Sequence, residues 1–520
     1  MELIRFTHEV FDAIRHSRVH LIGRSEAYWD ELCDTFDILP CIANAFDSAK
    51  RRQGSCSFRG KKISVVGFDI LERVLDDSIL VITDDYFLEI YEQLQTIQSV
   101  RNRFQQIYFY PNKETQYDLA YRKKYQDVLL RDILLFRSGP HASGYVPGLD
   151  FADNARALFE YMLREGFDEK YELVWLVHDP AEYEERYAAH PHVRFLPYSG
   201  SVSDDARVRD RYYEALCLAK YIFFTDAYGF ARNARPDQVR VQLWHGCGIK
   251  HRVFFSPCEK RYEYMTVIGD MYAELHAKDY GLRPNQVLVT GYPKNDWLFH
   301  PIADWRERFH IPHASKYIFW LPTFRTAGAA GLENLNEEAV FGETGLPIVR
   351  SMEMLEQLNQ LLEKKDMVLL LKLHPFQKRN AVCRCGLSHV LFLENGDLRR
   401  EDVQINQVLG HADALISDYS SAAIDYTLLD RPIAFTLDDY EVYGDSRGFN
   451  WPNVRDYLPG DELFSFADFL AFITDVAAGI DRSREKRGRL RKKFHSYCDD
   501  GSAARVLRAL GIEKSGEGMR

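Results

Sequence analysis

The sequence lacks the marks of several large protein classes. None of its nine cysteines belongs to a CxxC pair or to a Cys/His cluster with zinc spacing, which argues against a cysteine-based zinc module and is typical of a reduced, cytosolic protein. No apolar run approaches the roughly 20 residues that span a bilayer, and the N-terminal segment mixes charges instead of forming a signal-peptide core. We therefore expect a soluble or membrane-peripheral protein.

A basic excess is missing as well. The net charge of −11 argues against a general nucleic-acid binder, because such proteins neutralise phosphates with surplus lysine and arginine. Hydrophobic residues make up 46% of the 520-residue chain, and this length fits about three domains. The composition therefore predicts a multidomain protein with a large core and no nucleic-acid partner.

Strand-like apolar runs alternate with helical patterns along most of the chain, for example in VHLIG, SILVITDD, DILLFRS, KYIFFTD and MVLLLKLHP. This alternation is typical of α/β domains with doubly wound parallel sheets, which bind ligands at the carboxyl ends of their strands. We predict a Rossmann-like domain at 1–115, a connector helix at 116–130, α/β domains at 131–300 and 301–480, and C-terminal helices at 481–520.

The first predicted domain has part of a dinucleotide-binding pattern. Gly23 follows the first strand of that pattern and Asp47 follows the second, where such domains place a glycine and a ribose-binding acid. The other glycines of GxGxxG are absent, because Arg24, Ser25 and Glu26 follow Gly23. A structural or substrate-docking role is favoured, and a nucleotide site is the alternative.

The segment ALISDYSSAAIDYTLLDRPIAF is the most informative part of the chain. An apolar strand at 414–416 leads into Ser420 and Ser421, which open a helix with Asp425 about one turn further on. The free N–H groups of a helix start stabilise a diphosphate, and Asp425 can accept hydrogen bonds from ribose hydroxyls. The alternative is a serine that only caps the helix and a solvated aspartate.

Three other predicted strands end in residues suited to phosphate chemistry. The turn WHG places His245 after a strand, where an imidazole can take a proton from an attacking hydroxyl, and Lys250 follows as a candidate phosphate ligand. LKLHP ends with His374, a candidate phosphate ligand or general acid, and LPTFR provides Thr323 and Arg325. Each motif alone also fits a structural role, but their joint occurrence indicates one site.

The turn GYPKND follows a further strand, and a Gly-Tyr-Pro turn often serves only to reverse the chain. Lys294, Asn295 and Asp296 are candidates for lining an interdomain cleft. No carboxylate pair indicates a metal site, because Asp438 and Asp439 have no evident partner in the sequence. We therefore predict no metal ligands and leave metal dependence open.

Taken together, these motifs resemble those of the CDP-glycerol glycerophosphotransferase family, which includes teichoic-acid polymerases and primases. The resemblance covers about 130–510 and adds SRGF and DGSAARV to the motifs above. It implies a GT-B-type pair of Rossmann-like domains, preceded here by an additional N-terminal Rossmann-like domain. In that arrangement the helices at 481–520 pack back on the 131–300 domain.

The resemblance implies transfer of glycerol phosphate, or a related alditol or sugar phosphate, from a CDP-linked donor to an acceptor hydroxyl, with release of CMP. The acceptor would be a polyol phosphate, a glycan or a lipid-linked chain in a teichoic-acid-like or capsular polymer. The implied roles are base for His245, diphosphate contacts for His374, Thr323, Arg325, Ser420, Ser421 and Lys250, ribose contact for Asp425, and cleft lining for Gly246, Lys294, Asn295, Asp296 and Arg447.

The chain departs from the family pattern at several positions. Cys247 replaces a hydroxyl residue, Lys294 replaces an arginine, and Thr326 and Ala327 stand where acidic residues commonly follow the PTWR-like motif. These changes concern the acceptor and the transferred group more than the reaction class. A GT-B glycosyltransferase that uses a nucleotide sugar and an inactive, partner-recruiting scaffold are the alternative functions.

The segment 482–495 has eight basic residues and one acid. Such a segment is often a solvated helix face, but it can also attract anionic lipid or a polyanionic acceptor. With the absence of a spanning segment, this predicts a cytoplasmic protein that is either free or peripheral on the inner face of the cell membrane.

Overall fold

The computed structural model describes the chain except for residues 24, 48–52, 69–70, 72–77, 85–86, 140–148, 226–229, 232, 251–261, 323–341, 374–385 and 516–520, and except for the side chains of residues 89, 446 and 447. The described strands form three sheets, of seven, seven and six strands. One compact unit contains Met1–Leu129 and Tyr198–Leu218, and the other contains Leu130–Pro197 and the described chain from Ala219 onward.

The first sheet lies in the N-terminal unit and has the order β1-β7-β6-β2-β3-β5-β4, in which only β4 is antiparallel to its neighbour. Apolar side chains pack on both of its faces. Its strands are β1 Glu2–Arg5, β2 Arg18–Ile22, β3 Ile42–Phe46, β4 Gly54–Phe58, β5 Lys61–Val66, β6 Ser78–Ile82 and β7 Gln106–Phe109. The helices of this unit are His8–Ile14, Glu26–Thr35, Phe87–Thr96, Gln98–Arg103, Lys113–Tyr125 and Ala206–Leu218.

Gly23 follows β2 with a φ of +103°, a conformation that favours glycine. A Cβ at this position would lie 3.0 Å from the Cβ of Asp84, and the indole of Trp29 donates hydrogen bonds to the Gly23 carbonyl and to Thr83 Oγ1, both 3.1 Å. The turn and its packing thus account for the glycine, which favours the structural interpretation of this domain.

The residues 198–218 were assigned from the sequence to the 131–300 domain, but they group with the N-terminal unit. The reason is packing: the helix Ala206–Leu218 contacts the helix Lys113–Tyr125, where the rings of Tyr121 and Tyr213 stack with centroids 4.6 Å apart.

The second sheet is fully parallel, with the order β10-β9-β8-β11-β12-β13-β14. Its strands are β8 Arg131–Arg137, β9 Glu172–Val177, β10 Val193–Pro197, β11 Ala219–Phe224, β12 Val239–Gln242, β13 Tyr264–Val267 and β14 Val287–Val289. Its helices are Asp153–Arg164, Ala181–Glu184, Asp270–Tyr280 and Pro293–Asp296. Aromatic residues are frequent in the core cluster of this sheet, and Ala503, Val506 and Leu507 of the C-terminal helix Ser502–Ala509 belong to the same cluster.

The third sheet is also parallel, with the order β17-β16-β15-β18-β19-β20. Its strands are β15 Lys316–Trp320, β16 Met367–Leu371, β17 Val390–Phe392, β18 Ala414–Ser417, β19 Ile433–Thr436 and β20 Asp461–Leu463. The helices after residue 300 are Trp305–Arg308, Met352–Lys364, Asn395–Arg400, Ile405–Leu409, Ala422–Tyr426, Tyr440–Arg447, Phe466–Ala478, Arg484–Phe494 and Ser502–Ala509, of which the last packs on the second sheet's domain. Successive strands are added in one direction from β15 to β17 and in the opposite direction from β18 to β20, so the strand order reverses between β15 and β18. Doubly wound sheets bind ligands outside the carboxyl ends of the strands at such a point.

None of the described helices combines the length and the apolarity needed to cross a bilayer. The basic segment 482–495 contains the helix Arg484–Phe494, which buries Arg487, Leu490 and Phe494 and exposes most of its other basic side chains. The buried guanidinium of Arg487 forms ion pairs with Asp430 at 3.0 Å and Asp481 at 2.6 Å. One of the eight basic residues therefore anchors the helix and contributes no surface charge.

Arg487→Ala removes the buried cation that pairs with two carboxylates, of which only Asp430 has a second, longer ion pair among the described residues, with Arg491 at 3.9 Å. We therefore predict that this substitution lowers the free energy of unfolding by about 3 kcal/mol. This value lies at the low end for a broken buried pair, since Asp430 and Asp481 keep some contact with water. Urea unfolding measures the change, and Arg484→Ala, which removes an exposed arginine of the same helix, should change stability by less than about 0.5 kcal/mol. Equal effects of the two variants would contradict the anchoring role.

Candidate functional site

The WHG turn follows β12 in a strained conformation. Trp244 is fully buried and has a φ of +59°, which is costly for a bulky residue. Its backbone N–H donates to Gln242 Oε1 at 3.0 Å and its indole N–H donates to the Gly246 carbonyl at 2.9 Å. These bonds hold the turn, and the imidazole of His245 lies against the indole with ring centroids 4.4 Å apart. His245 is thus presented at the edge of the second sheet, partly exposed.

The turn after β18 in the third sheet contacts the WHG turn directly. A Cβ on Gly246 would lie 2.4 Å from Ser421 Oγ, and a Cβ on Gly248 would lie 3.4 Å from Ser421 Cβ. Glycine at 246 is therefore required by the close approach of the two loops. The contact brings together His245 and Ser421, which the sequence assigned to one site.

Ser420 and Ser421 precede the helix Ala422–Tyr426, as predicted from the sequence. Ser420 Oγ accepts a hydrogen bond from the backbone N–H of Ala422 at 3.3 Å, whereas Ser421 makes no side-chain cap bond to this helix. Ser421 is partly exposed at the contact with the WHG turn.

Asp425 lies in the same helix and is almost fully buried, with 2% of its surface exposed. Asn295 of the GYPKND turn donates from Nδ2 to Asp425 Oδ1 at 2.9 Å, and Asn406 Nδ2 donates to Asn295 Oδ1 at 3.2 Å. Burial raises the pKa of Asp425 to about 6, against the opposing effects of the Lys294 charge and the Asn295 hydrogen bond. The predicted ribose ligand therefore also links the third sheet's domain to the second sheet's domain.

Lys294 holds the WHG turn from the opposite side. Its ammonium donates to the carbonyl oxygen of His245 and lies 3.3 Å from Asp153 Oδ1. Next to it, Asn154 Nδ2 donates to the carbonyls of the two residues before His245, at 3.2 and 2.8 Å, and Asn154 Oδ1 accepts from the Lys294 N–H at 3.1 Å. Lys294, which departs from the family pattern, thus contacts the turn through its ammonium group.

Asp153 and Asn154 belong to this site although the sequence motifs did not predict them. The sequence shows only an adjacent Asp-Asn pair at the start of a predicted amphipathic helix. Because such pairs often cap helices, this pattern does not indicate a functional site. Asp153 has a φ of +59°, a feature that only the structure shows.

Asp296 was predicted to line the cleft, but the structure places it elsewhere. Its carboxylate accepts hydrogen bonds from the backbone N–H groups of Ser502 at 3.0 Å and Ala503 at 2.9 Å, at the start of the helix Ser502–Ala509. Burial raises the pKa of Asp296 to about 7. An acid at a helix start satisfies N–H groups that lack intrahelical partners, so Asp296 joins the GYPKND turn to the DGSAARV motif.

The predicted cleft residues Lys250 and Arg447 belong to two segments that pair with each other. Lys250 forms an antiparallel bridge with Phe449, two residues after Arg447, and Asn450 Nδ2 donates to the Gly248 carbonyl at 2.8 Å. The SRGF segment therefore lies beside the WHGCGIK loop. The predictions for Thr323, Arg325 and His374, and the departures at Thr326 and Ala327, lie outside the described residues.

Cys247, which replaces a hydroxyl residue of the family, is buried behind His245. Its sulfur lies 2.9 Å from the Tyr292 hydroxyl and 4.0 Å from His276 Nε2. The thiol can donate or accept a weak hydrogen bond, so Cys247 forms a polar contact between the WHG loop and the GYP turn.

Comparison with known proteins identifies relatives for most of this chain. A family model described as CDP-glycerol:poly(glycerophosphate) glycerophosphotransferase matches residues 145–511. The teichoic acid ribitol-phosphate polymerase TarL of Staphylococcus aureus is 25% identical over 379 residues, covering 69% of this chain and 59% of that protein. The teichoic acid glycerol-phosphate transferase of Staphylococcus aureus is 24% identical over 388 residues, covering 70% of this chain and 90% of that protein. The chain spans 59% and 61% of the length of two ribitol-phosphate polymerases that it matches.

Among solved structures, a histidine-to-alanine variant of the wall teichoic acid polymerase TagF is similar to this chain, with a TM-score of 0.58 and 20% identity. The match covers 82% of this chain and 97% of the TagF chain. At this identity the likeness concerns the fold, and it confirms the predicted GT-B-type pair of α/β domains. In the described part of the chain no group of three or more His, Cys, Asp or Glu residues is arranged to hold a metal ion.

The contact between Gly246 and Ser421 generates a prediction. Gly246→Ala should lower the free energy of unfolding by about 1 to 3 kcal/mol, because the added methyl group forces the two loops apart. Ser421→Gly removes the opposing side chain, so the double variant Gly246→Ala/Ser421→Gly should recover most of this loss, as a double-mutant cycle in urea unfolding measures.

Gly488→Ala is the matched control, since a Cβ on this helical glycine would meet nothing within 4 Å. It should leave stability unchanged or raise it by up to about 1 kcal/mol through helix propensity. Strict additivity of the Gly246 and Ser421 substitutions would show that the two loops do not touch.

Proposed function

Because the chain belongs to the CDP-glycerol:poly(glycerophosphate) glycerophosphotransferase family, we propose that it transfers a polyol phosphate from a CDP-linked donor to an acceptor hydroxyl and releases CMP. The product would be a teichoic-acid-like or capsular polymer of the cell surface. The observation that supports this proposal is the contact of the Gly246 backbone, next to His245, with Ser421 at a helix start.

The proposed reaction is an in-line nucleophilic displacement at phosphorus. His245 takes the proton of the acceptor hydroxyl, and that oxygen attacks the phosphorus bonded to the alditol. The bond from this phosphorus to the bridging oxygen breaks, and CMP leaves with the electron pair. Such transfers depend chiefly on positioning and on neutralising charge, so the fixed backbone around His245 supports the role.

The donor side of the proposal uses the third sheet. Ser420 and Ser421 contact the diphosphate at the helix start, with Lys250 as a further cation in the neighbouring loop. Thr323, Arg325 and His374 remain proposed phosphate contacts on the basis of the motifs alone, and Arg447 remains a proposed cleft residue.

Asp425 is proposed to bind the nucleotide ribose. Asn295 Nδ2 donates to one lone pair of Asp425 Oδ1, and the carboxylate has further acceptor sites for a ribose hydroxyl. The hydrogen bond to Asn295 would then orient the carboxylate for this purpose while it links the two domains.

The reaction is tested by CMP release from CDP-glycerol and CDP-ribitol, with a glycerol-phosphate oligomer as acceptor. We expect CMP from at least one donor, and His245→Ala should lower kcat by at least about 100-fold, the usual contribution of a general base, while affinity for CDP-glycerol changes little. His300→Ala, which removes an exposed histidine of the same domain pair, is the control and should retain activity.

Two results would contradict the proposal. Release of a nucleoside diphosphate from a nucleotide sugar, without CMP from either CDP-alditol, would indicate a glycosyltransferase. Full activity of the His245→Ala variant would exclude His245 as the base.

The ribose role of Asp425 predicts a change in nucleotide selectivity. The native protein should bind CMP more tightly than 2′,3′-dideoxy-CMP, by about tenfold for the loss of charged hydrogen bonds, and Asp425→Asn should reduce this ratio towards one. Isothermal titration calorimetry measures both affinities. Asn295→Ala is the comparison, since it removes the interdomain partner and keeps the carboxylate. An unchanged ratio in Asp425→Asn would leave Asp425 as an interdomain link only.

A further inference from the structure

Lys372 lies at the carboxyl edge of the third sheet and takes no part in the site described above. It follows β16 directly, and its backbone N–H donates to the Trp320 carbonyl at the end of β15, at 3.0 Å. On the other side of β15, Ser417 at the end of β18 donates its hydroxyl hydrogen to the Leu321 carbonyl at 3.0 Å. Neighbouring strands are about 4.8 Å apart, so Lys372 lies about 10 Å along this edge from the strand that opens into the Ser421 turn.

The carboxyl edge around β15 and β18 is also where the strand order of this sheet reverses. Ligands of doubly wound sheets bind outside this edge, because the loops from the two sides diverge there and leave a crevice. Lys372 is therefore one strand away from the expected ligand crevice of the nucleotide-binding domain.

The ammonium of Lys372 has no ion-pair or hydrogen-bond partner among the described residues. Of the acidic groups at the neighbouring strand ends, Glu394 after β17 caps the helix Asn395–Arg400 with its side chain. Asp418 after β18 is fully buried. Burial alone lowers the pKa of Lys372 to about 8, since the charged form loses hydration and gains no compensating anion.

A partly buried cation without an anion is costly, and a bound polyanion relieves that cost. On the basis of the proposed function, we propose that Lys372 is a donor-binding residue whose ammonium pairs with the diphosphate of the CDP-linked donor. In this arrangement the lysine neutralises the diphosphate from the β16 side, and Ser420 and Ser421 contact it from the β18 side.

This pairing couples donor binding to a proton. The diphosphate favours the charged lysine, so the pKa of Lys372 rises on binding and protons are taken up near pH 8. Lys372 is charged below its pKa of about 8. The affinity for the donor is therefore highest below about pH 8 and falls as the pH rises above this value. Arginine stays charged throughout this range, so Lys372→Arg should remove the pH dependence.

Calorimetric titration with CDP at pH 8, in two buffers of different ionisation enthalpy, measures the linked protons. The native protein should take up about 0.5 proton per CDP more than either Lys372→Met or Lys372→Arg, because half of the free lysine is uncharged at its pKa. Lys372→Met should bind CDP at least tenfold more weakly at pH 7, and Lys372→Arg should keep its affinity up to pH 9.5. Lys364→Met, an exposed lysine of the helix Met352–Lys364, is the control and should behave as the native protein.

Equal proton uptake in the native protein and in Lys372→Arg would overturn the inference, even if Lys372→Met failed to fold. The experiment involves no transfer step, so it separates the two proposals. If CDP binding takes up a proton that depends on Lys372 but no CDP-alditol releases CMP, the result would contradict the proposed reaction and support the lysine site. If CMP is released but proton uptake on CDP binding does not depend on Lys372, the result would contradict only the lysine site.

Discussion

The close approach of the Gly246 backbone to Ser421 is the constraint on which the site depends. A methyl group at position 246 would overlap the serine side chain, so the two loops meet only because one of them has no side chain there. Through this contact the carboxyl edge of the second sheet and the helix start in the third sheet form one surface. The proposed proton acceptor His245 and the proposed phosphate contact Ser421 therefore lie on neighbouring loops.

Hydrogen bonds to buried polar groups hold the two loops in this arrangement. Lys294 and Asn154 bind the backbone carbonyls around His245, so the turn is fixed without using the imidazole itself. Asn295, next in the chain, continues the network to Asp425 in the other domain. Such a network is costly if it is incomplete, and when complete it fixes side chains before a ligand binds, which is the condition for electrostatic catalysis.

The C-terminal helix Ser502–Ala509 stabilises the second sheet's domain from behind. Its apolar side chains share the core of that domain, and its start is capped by Asp296. The same short turn therefore provides Lys294 to the site, Asn295 to the interdomain link and Asp296 to the core scaffold. Three adjacent polar residues serve three different surfaces because a short helical turn points successive side chains about 100° apart.

The strand-and-turn motifs made the class of fold and the main loops predictable. Parallel strands end at a common edge, so residues such as His245 and Ser421 could be assigned to strand ends from the apolar runs before them. The partners of Asp425 and Asp296 were not predictable, because each lies more than a hundred residues away in the chain. The left-handed backbone conformation of Trp244 was also not predictable, since nothing in the local sequence favours this conformation in a bulky residue.

The sequence by itself determined which residues follow which strands, and thereby the α/β class, the family and the short list of groups with suitable chemistry. These properties follow from local patterns of apolar and turn-forming residues. Only the tertiary structure decided which partners these groups have, with Asp296 at the start of the C-terminal helix, Asp425 bonded to Asn295 of the other domain, and Lys372 at the carboxyl edge of the third sheet. Those assignments depend on burial and on long-range contacts, which arise only when the two sheets and their loops pack together.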